Sequence, residues 1–139
     1  MAQRTRELER RENVERRASR RCEYCRAPQA VTGVRYHLDH IIPESRGGPD
    51  NMENLALACP MCNSYKSAHV LGADAHGLDD RRLFNPRKDN WDDHFVFDPA
   101  TLQLRGKTTV GQGTVNRLRM NDALQIEGRR RWLELNLYP

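Results

Sequence analysis

Apolar positions follow different rhythms along this chain. Residues 3–20, QRTRELERRENVERRASR, contain no glycine or proline, and only Leu8, Val14 and Ala18 offer an apolar contact. That pattern predicts a polar helix lying along a surface. Residues 34–42, VRYHLDHII, are rich in β-branched and aromatic types and predict a strand. Between these two, CEYCRAP reads as a tight knuckle, and PESRGGPDN after them reads as a loop from its Pro, Gly and Asn content. MENLALACPMCNSYKSAHVL is a short apolar stretch running into a helix that begins near Cys59 or Pro60.

The second half is patterned more loosely. Residues 72–90, GADAHGLDDRRLFNPRKDN, look like a linker. His94-Phe95-Val96-Phe97, a turn at Asp98-Pro99 and Leu102-Gln103-Leu104 predict a hairpin. Val115, Leu118, Leu124, Trp132, Leu133 and Leu137 predict two short terminal helices. No internal repeat or low-complexity tract is present. The fold class expected is α+β, with an N-terminal basic helix over 1–21, a core over 22–70 and a C-terminal extension over 71–139 that packs on the core.

Composition narrows this. Of 139 residues, 37% are hydrophobic and 30% charged, which is thin for a large core but too apolar for a disordered chain. A core this small usually needs a staple. The net charge is +4, and the first 26 residues hold nine Arg against five Glu. Arginine is the planar, bidentate partner of phosphate, so the balance leans toward nucleic acid. Solvated helix faces explain the N-terminal run equally well, since its Glu and Arg alternate at helical spacing. No apolar run approaches the ~18 residues of a membrane span, and a cytoplasmic, reduced protein without a membrane partner is expected.

In that compartment four cysteines point to metal rather than disulfides. Cys22-x2-Cys25 and Cys59-x2-Cys62 are separated by 33 residues, and each pair can aim two thiolates at one tetrahedral ion. The expectation is a closed structural Zn2+ site that holds the fold together. A redox pair or plain buried thiols is the alternative. With Cys59 and Cys62 on the first helical turn, Asn63 and Lys66 share a face, and Ser67 lies near it. The zinc would pin that face against the strand carrying Asp39 and His40, so these residues can converge.

CEYC, HLDHIIPESRGG, NMENLALAC and CPMCNSYKS together closely resemble the HNH endonuclease family over residues 22–67. The resemblance implies a ββα-metal (His-Me) finger of the four-cysteine, treble-clef-like type. It puts Asp39 at the first metal ligand, His40 at the general base, Asn54 at the asparagine that braces the loop, and Asn63 at the second metal ligand. Lys66 matches a basic position near the phosphate, and Arg46 with Gly47-Gly48 resembles the family's loop signature. Many members carry helix histidines where this chain has Asn63 and Ser67. Oxygen donors alone favour a hard ion, Mg2+ or Mn2+.

The function expected is metal-dependent hydrolysis of DNA phosphodiester bonds, with RNA left open as a substrate and no small-molecule cofactor. The ion would neutralise charge on the phosphate and the leaving oxygen, while neutral His40 takes a proton from water. A backbone carbonyl in the Asn54 loop is expected to hold the second ring nitrogen. His37 shares Asp39's strand face and is a candidate substrate contact. The C-terminal elements LFNPR, WDDHF and RLRMN loosely resemble an extension in small bacterial HNH proteins. Arg81, Arg82, Arg87, Arg117 and Arg119 are expected to widen the DNA surface there, with Trp91, Phe95, Phe97 and Trp132 forming a second small core. The rival reading is a non-catalytic zinc module that binds nucleic acid or a protein. Oligomeric state is not encoded in any of these patterns.

Overall fold

The computed structural model describes residues 1–139. The chain is α+β, with three separate two-stranded antiparallel sheets and short helices between them. A polar helix, α1 (Ala2–Arg17), is followed by the first cysteine knuckle and a single turn, α2 (Gln29–Thr32). Strands β1 (His37–His40) and β2 (Leu55–Ala58) pair so that His37 faces Ala58 and His40 faces Leu55. Helix α3 (Pro60–Lys66) then completes a ββα unit. Cys59 is its N-cap, accepting from the Cys62 N–H, and Pro60 takes the first turn, where a missing N–H costs nothing.

Strand β2 does not alternate; all four of its residues are buried. Both of its sides are covered. Val14 of α1 is in the same core cluster, and Arg17 donates to the Leu55 carbonyl at 2.6 Å. Glu23, from the knuckle, pairs with the free edge of β2: its backbone N–H donates to the Leu57 carbonyl and its carboxylate accepts from the Leu57 N–H, both at 2.8 Å.

The stretch 72–90 is not a linker. With Leu71 it forms the hairpin β3 (Leu71–Ala73) and β4 (Asp79–Arg82), whose turn is closed by the Asp74 carboxylate accepting from the His76 and Leu78 N–H groups. The hairpin lies on α5 (Thr109–Arg117) through glycine: a Cβ on Gly72 would stand 2.7 Å from the Gly113 carbonyl carbon. Packing of backbone on backbone leaves no apolar pattern in the sequence, so the turn residues alone suggested a tether.

After the single turn α4 (Trp91–His94), the expected hairpin forms as β5 (Phe95–Asp98) and β6 (Gln103–Gly106). Helices α5 and α6 (Ala123–Glu134) end the chain's regular structure. The aromatic residues of this half do not make a core of their own. Phe95 and Trp132 belong to the same cluster as Val14, the cysteines and β2, with Trp91 and Phe97 packed against it. No helix is long and apolar enough to cross a membrane.

Candidate functional site

The two knuckles bring Cys22, Cys25, Cys59 and Cys62 together, all buried, with their sulfurs within 4.8 Å of one another. Cys25 Sγ and Cys59 Sγ are 3.7 Å apart. A tetrahedral site with Zn–S bonds of about 2.3 Å has sulfur–sulfur edges of about 3.8 Å, so the cage fits that ion. The Cys25 and Cys62 amides point back at Cys22 Sγ and Cys59 Sγ at 3.5 and 3.4 Å. Burial first, and then the crowding of Cys25 and Cys59, holds the Cys22 thiol well above its ordinary range, a cost that a bound cation removes.

Strand β1 sends its neighbours to opposite faces. Asp39 points inward, 7% exposed, and His40 points outward and is half-buried. The Asp39 carboxylate is held from two elements. The Tyr24 hydroxyl in the first knuckle donates to Oδ2 at 2.8 Å, and Lys66 Nζ at the end of α3 lies 3.1 Å from the same oxygen. Lys66 also donates to Asp39 Oδ1 and to the His40 carbonyl, and is 1% exposed. Burial pushes the Asp39 carboxyl above the usual carboxylate range, against the opposing pull of Lys66 and Tyr24. Burial likewise pushes the Tyr24 phenol well up, with the Asp39 charge adding to it.

Lys66 therefore faces the interior in this state, not a phosphate in solvent. Asn63 sits one turn before it on the same helix and is half-buried. His37 is exposed at the start of β1. Arg46, in the 3₁₀ turn Glu44–Arg46, is exposed and donates through Nε to the Ala68 carbonyl at 2.9 Å, tying the loop to the end of α3.

The loop between β1 and β2 is closed by Asn54, which is buried. Its Oδ1 accepts from the Ile42 N–H, and its Nδ2 donates to the Ile42 and Pro49 carbonyls, all at 2.9 Å. Gly48 fits beneath it because a Cβ there would stand 1.8 Å from the Ile42 carbonyl oxygen.

His40 has a different partner from the one the sequence suggested. The Asn54 carbonyl accepts from the Ile41 N–H, while His40 Nε2 lies 2.8 Å from the Asp50 Oδ1. Glu44 Oε1 is farther away, at 3.7 Å. Asp50 also forms an ion pair with Arg10 of α1. Arg10 first, and then His40, hold the Asp50 carboxyl down at about 2.

Residues 22–69 match the family model described as HNH endonuclease. This segment is an HNH domain. An HNH domain points to nuclease activity with metal binding, and to nucleic acid as the substrate. No curated protein and no solved structure matches the chain.

Five residues in and around the HNH segment had no signal in the sequence strong enough to single them out. Tyr24 lies inside the first CxxC and was read only as knuckle. Asp50 belonged to a loop read for its turn chemistry, and Arg10 to a helix read as a solvated face. Gln125 comes from α6: its Nε2 donates to Cys25 Sγ at 3.8 Å and Cys59 Sγ at 3.9 Å. The Tyr138 hydroxyl joins it there, donating to the Cys25 carbonyl at 2.7 Å.

The arginines expected to widen the surface divide. Arg82 pairs with Asp89, Arg87 with Glu23, and Arg117 with Asp79, so their charge is spent within the chain. Arg81 is exposed, and Arg119 is exposed and lies over the Tyr65 ring. Arg129 of α6 is fully buried and donates to the Leu102 carbonyl and Asn121.

Proposed function

We propose that this chain is a metal-dependent endonuclease acting on DNA, with His40 as its general base. The observation that carries the reading is the adjacency on β1. Within the HNH segment, a buried carboxylate and a half-exposed imidazole follow one another and face opposite ways. His40 is half-exposed and within reach of a water molecule, and one of its ring nitrogens is occupied by a carboxylate, which fixes the tautomer.

Asp39 and Asn63 are the residues that would hold Mg2+ or Mn2+. Their donors are oxygen only, as a hard cation requires. Such an ion, when bound, supplies charge neutralisation at the phosphate and the leaving oxygen. Lys66 must first give up its contact with Asp39, because one buried carboxylate does not serve both cations at full strength. Asn54 keeps the loop closed around the base, and Arg46 and His37 stand exposed at its margins as candidate phosphate contacts. Phosphate contacts of this kind carry no sequence information and weaken with salt.

The Lys66–Asp39 pair also favours a second reading, a non-catalytic zinc module in which these two charges are a buried pin. Nicking of supercoiled plasmid in Mg2+, Mn2+ or EDTA separates the two. The nuclease reading expects metal-dependent nicking by wild type and at least about a hundred-fold loss in His40→Ala, the scale of a general base. Equal nicking by both proteins removes His40 from the chemistry. No cleavage of any nucleic acid by wild type leaves the binding module.

A further inference from the structure

We propose that Asp50 is a positioning residue for His40, seated in turn by Arg10 of α1, so that the imidazole presents Nδ1 as its proton acceptor. The inference rests on reading His40 as the base. His40 Nε2 and Asp50 Oδ1 are 2.8 Å apart. Asp50 stays ionised down to about pH 2, because Arg10 and His40 stabilise its charge. A carboxylate can only accept, so the hydrogen between them sits on Nε2. The lone pair is then left on Nδ1, the nitrogen free to take a proton from water.

Three arginines make α1 a frame for this arrangement. Arg11 donates to the Tyr36 carbonyl immediately before β1, at 2.8 Å. Arg17 donates to the Met52 and Leu55 carbonyls at the far end of the β1–β2 loop, at 2.9 and 2.6 Å. Between these anchors, Arg10 reaches Asp50 in the middle of the loop. The helix thus grips both ends of the segment that bears the base, and a side chain from its centre sets the base's partner.

Glu44 lies close enough that His40, Glu44 and Asp50 could hold a cation, their ligand atoms being within 4.8 Å. Arg10 argues against it, since its guanidinium already neutralises Asp50 on the same oxygen that faces His40. A monovalent side chain and a divalent ion would compete for one carboxylate.

The test uses the full chain, loaded with zinc, and compares wild type with Asp50→Ala and Asp50→Asn. In 15N NMR of histidine-labelled protein, with the His40 signal assigned from His40→Ala, wild type should show Nε2–H. Asp50→Ala should lose that preference, whereas the asparagine oxygen can still accept and should keep it. For plasmid nicking in Mg2+, kcat should fall about 10- to 100-fold in Asp50→Ala, the scale of an outer partner of a reactive group, with KM within about twofold. Asp50→Asn should recover part of the loss. Retention of Nε2–H in Asp50→Ala, or a kcat within twofold of an active wild type, overturns the positioning role. An inactive wild type overturns the nuclease reading itself, and the tautomer then decides separately whether Asp50 orients the ring.

Discussion

Lys66 Nζ lies 3.1 Å from Asp39 Oδ2, and both side chains are closed off from solvent. The lysine is the counter-ion of a carboxylate whose charged form burial disfavours. Removing one member leaves the other charged and unpaired. Asp39→Ala should therefore lower the stability of the zinc-loaded protein by about 3–5 kcal/mol in urea unfolding. The double variant Asp39→Ala with Lys66→Met should recover much of that loss, because no buried charge remains. A double variant as unstable as the single one would mean that the pair is not the dominant interaction there.

The Asp50 carboxyl should titrate near pH 2, read as its side-chain 13C shift. Its folded value is depressed below the ordinary carboxylate value near 3.8, so the unfolded chain binds the proton first on acidification. The tie it makes between α1 and the loop is thus present above pH 4 and lost as pH falls from there toward 2. Arg10→Ala should move the midpoint upward, since Arg10 is the largest cause of the depression. A midpoint near 4 in the wild type would show that neither partner engages it in solution.

Stripping the cage with a chelator should unfold more than the finger. The cysteines share one apolar cluster with Trp132 and Tyr138, so loss of the ion should change tryptophan fluorescence in the same transition as far-UV ellipticity. Gln125→Leu keeps the apolar contact but removes the N–H donor to Cys25 and Cys59. It should weaken zinc retention about 10- to 100-fold against a competing chelator, the usual effect of an outer partner. Two separate transitions would show that the C-terminal half stands without the metal.

Gly48→Ala and Gly47→Ala should differ in kind. Gly47 has φ +83° and open space, so alanine there strains only the backbone, by about 1 kcal/mol. Gly48 abuts the Ile42 carbonyl, so a methyl group must push the loop off β1, costing several times as much if the loop holds its shape. Thermal melts of the two variants rank them, and equal losses would contradict the close approach.

Residue spacing carried much of this architecture. Two CxxC pairs imply one cage at any loop length, and the apolar run into Cys59 placed α3 within a residue of its observed start. Periodicity and turn residues found α1, the β5–β6 hairpin and both terminal helices because their backbone hydrogen bonds are local. What it could not carry are contacts made by single polar atoms across distance. Arg10 and Asp50 are 40 residues apart, and nothing in either neighbourhood signals the other. Tyr24 reads only as part of the first knuckle until Asp39 is found at its hydroxyl. Lys66 is expected near a phosphate or in solvent, and its burial depends on a partner, Asp39, that periodicity does not name.

Gln125 reaches the thiolates from 100 residues beyond Cys25. On a ribosome, both knuckles emerge long before α6 exists, so a nascent chain presents a cage with one wall missing. Closing so distant a contact is slow compared with forming the local ββα unit. The order of synthesis therefore makes both knuckles available before the segment that covers their sulfurs.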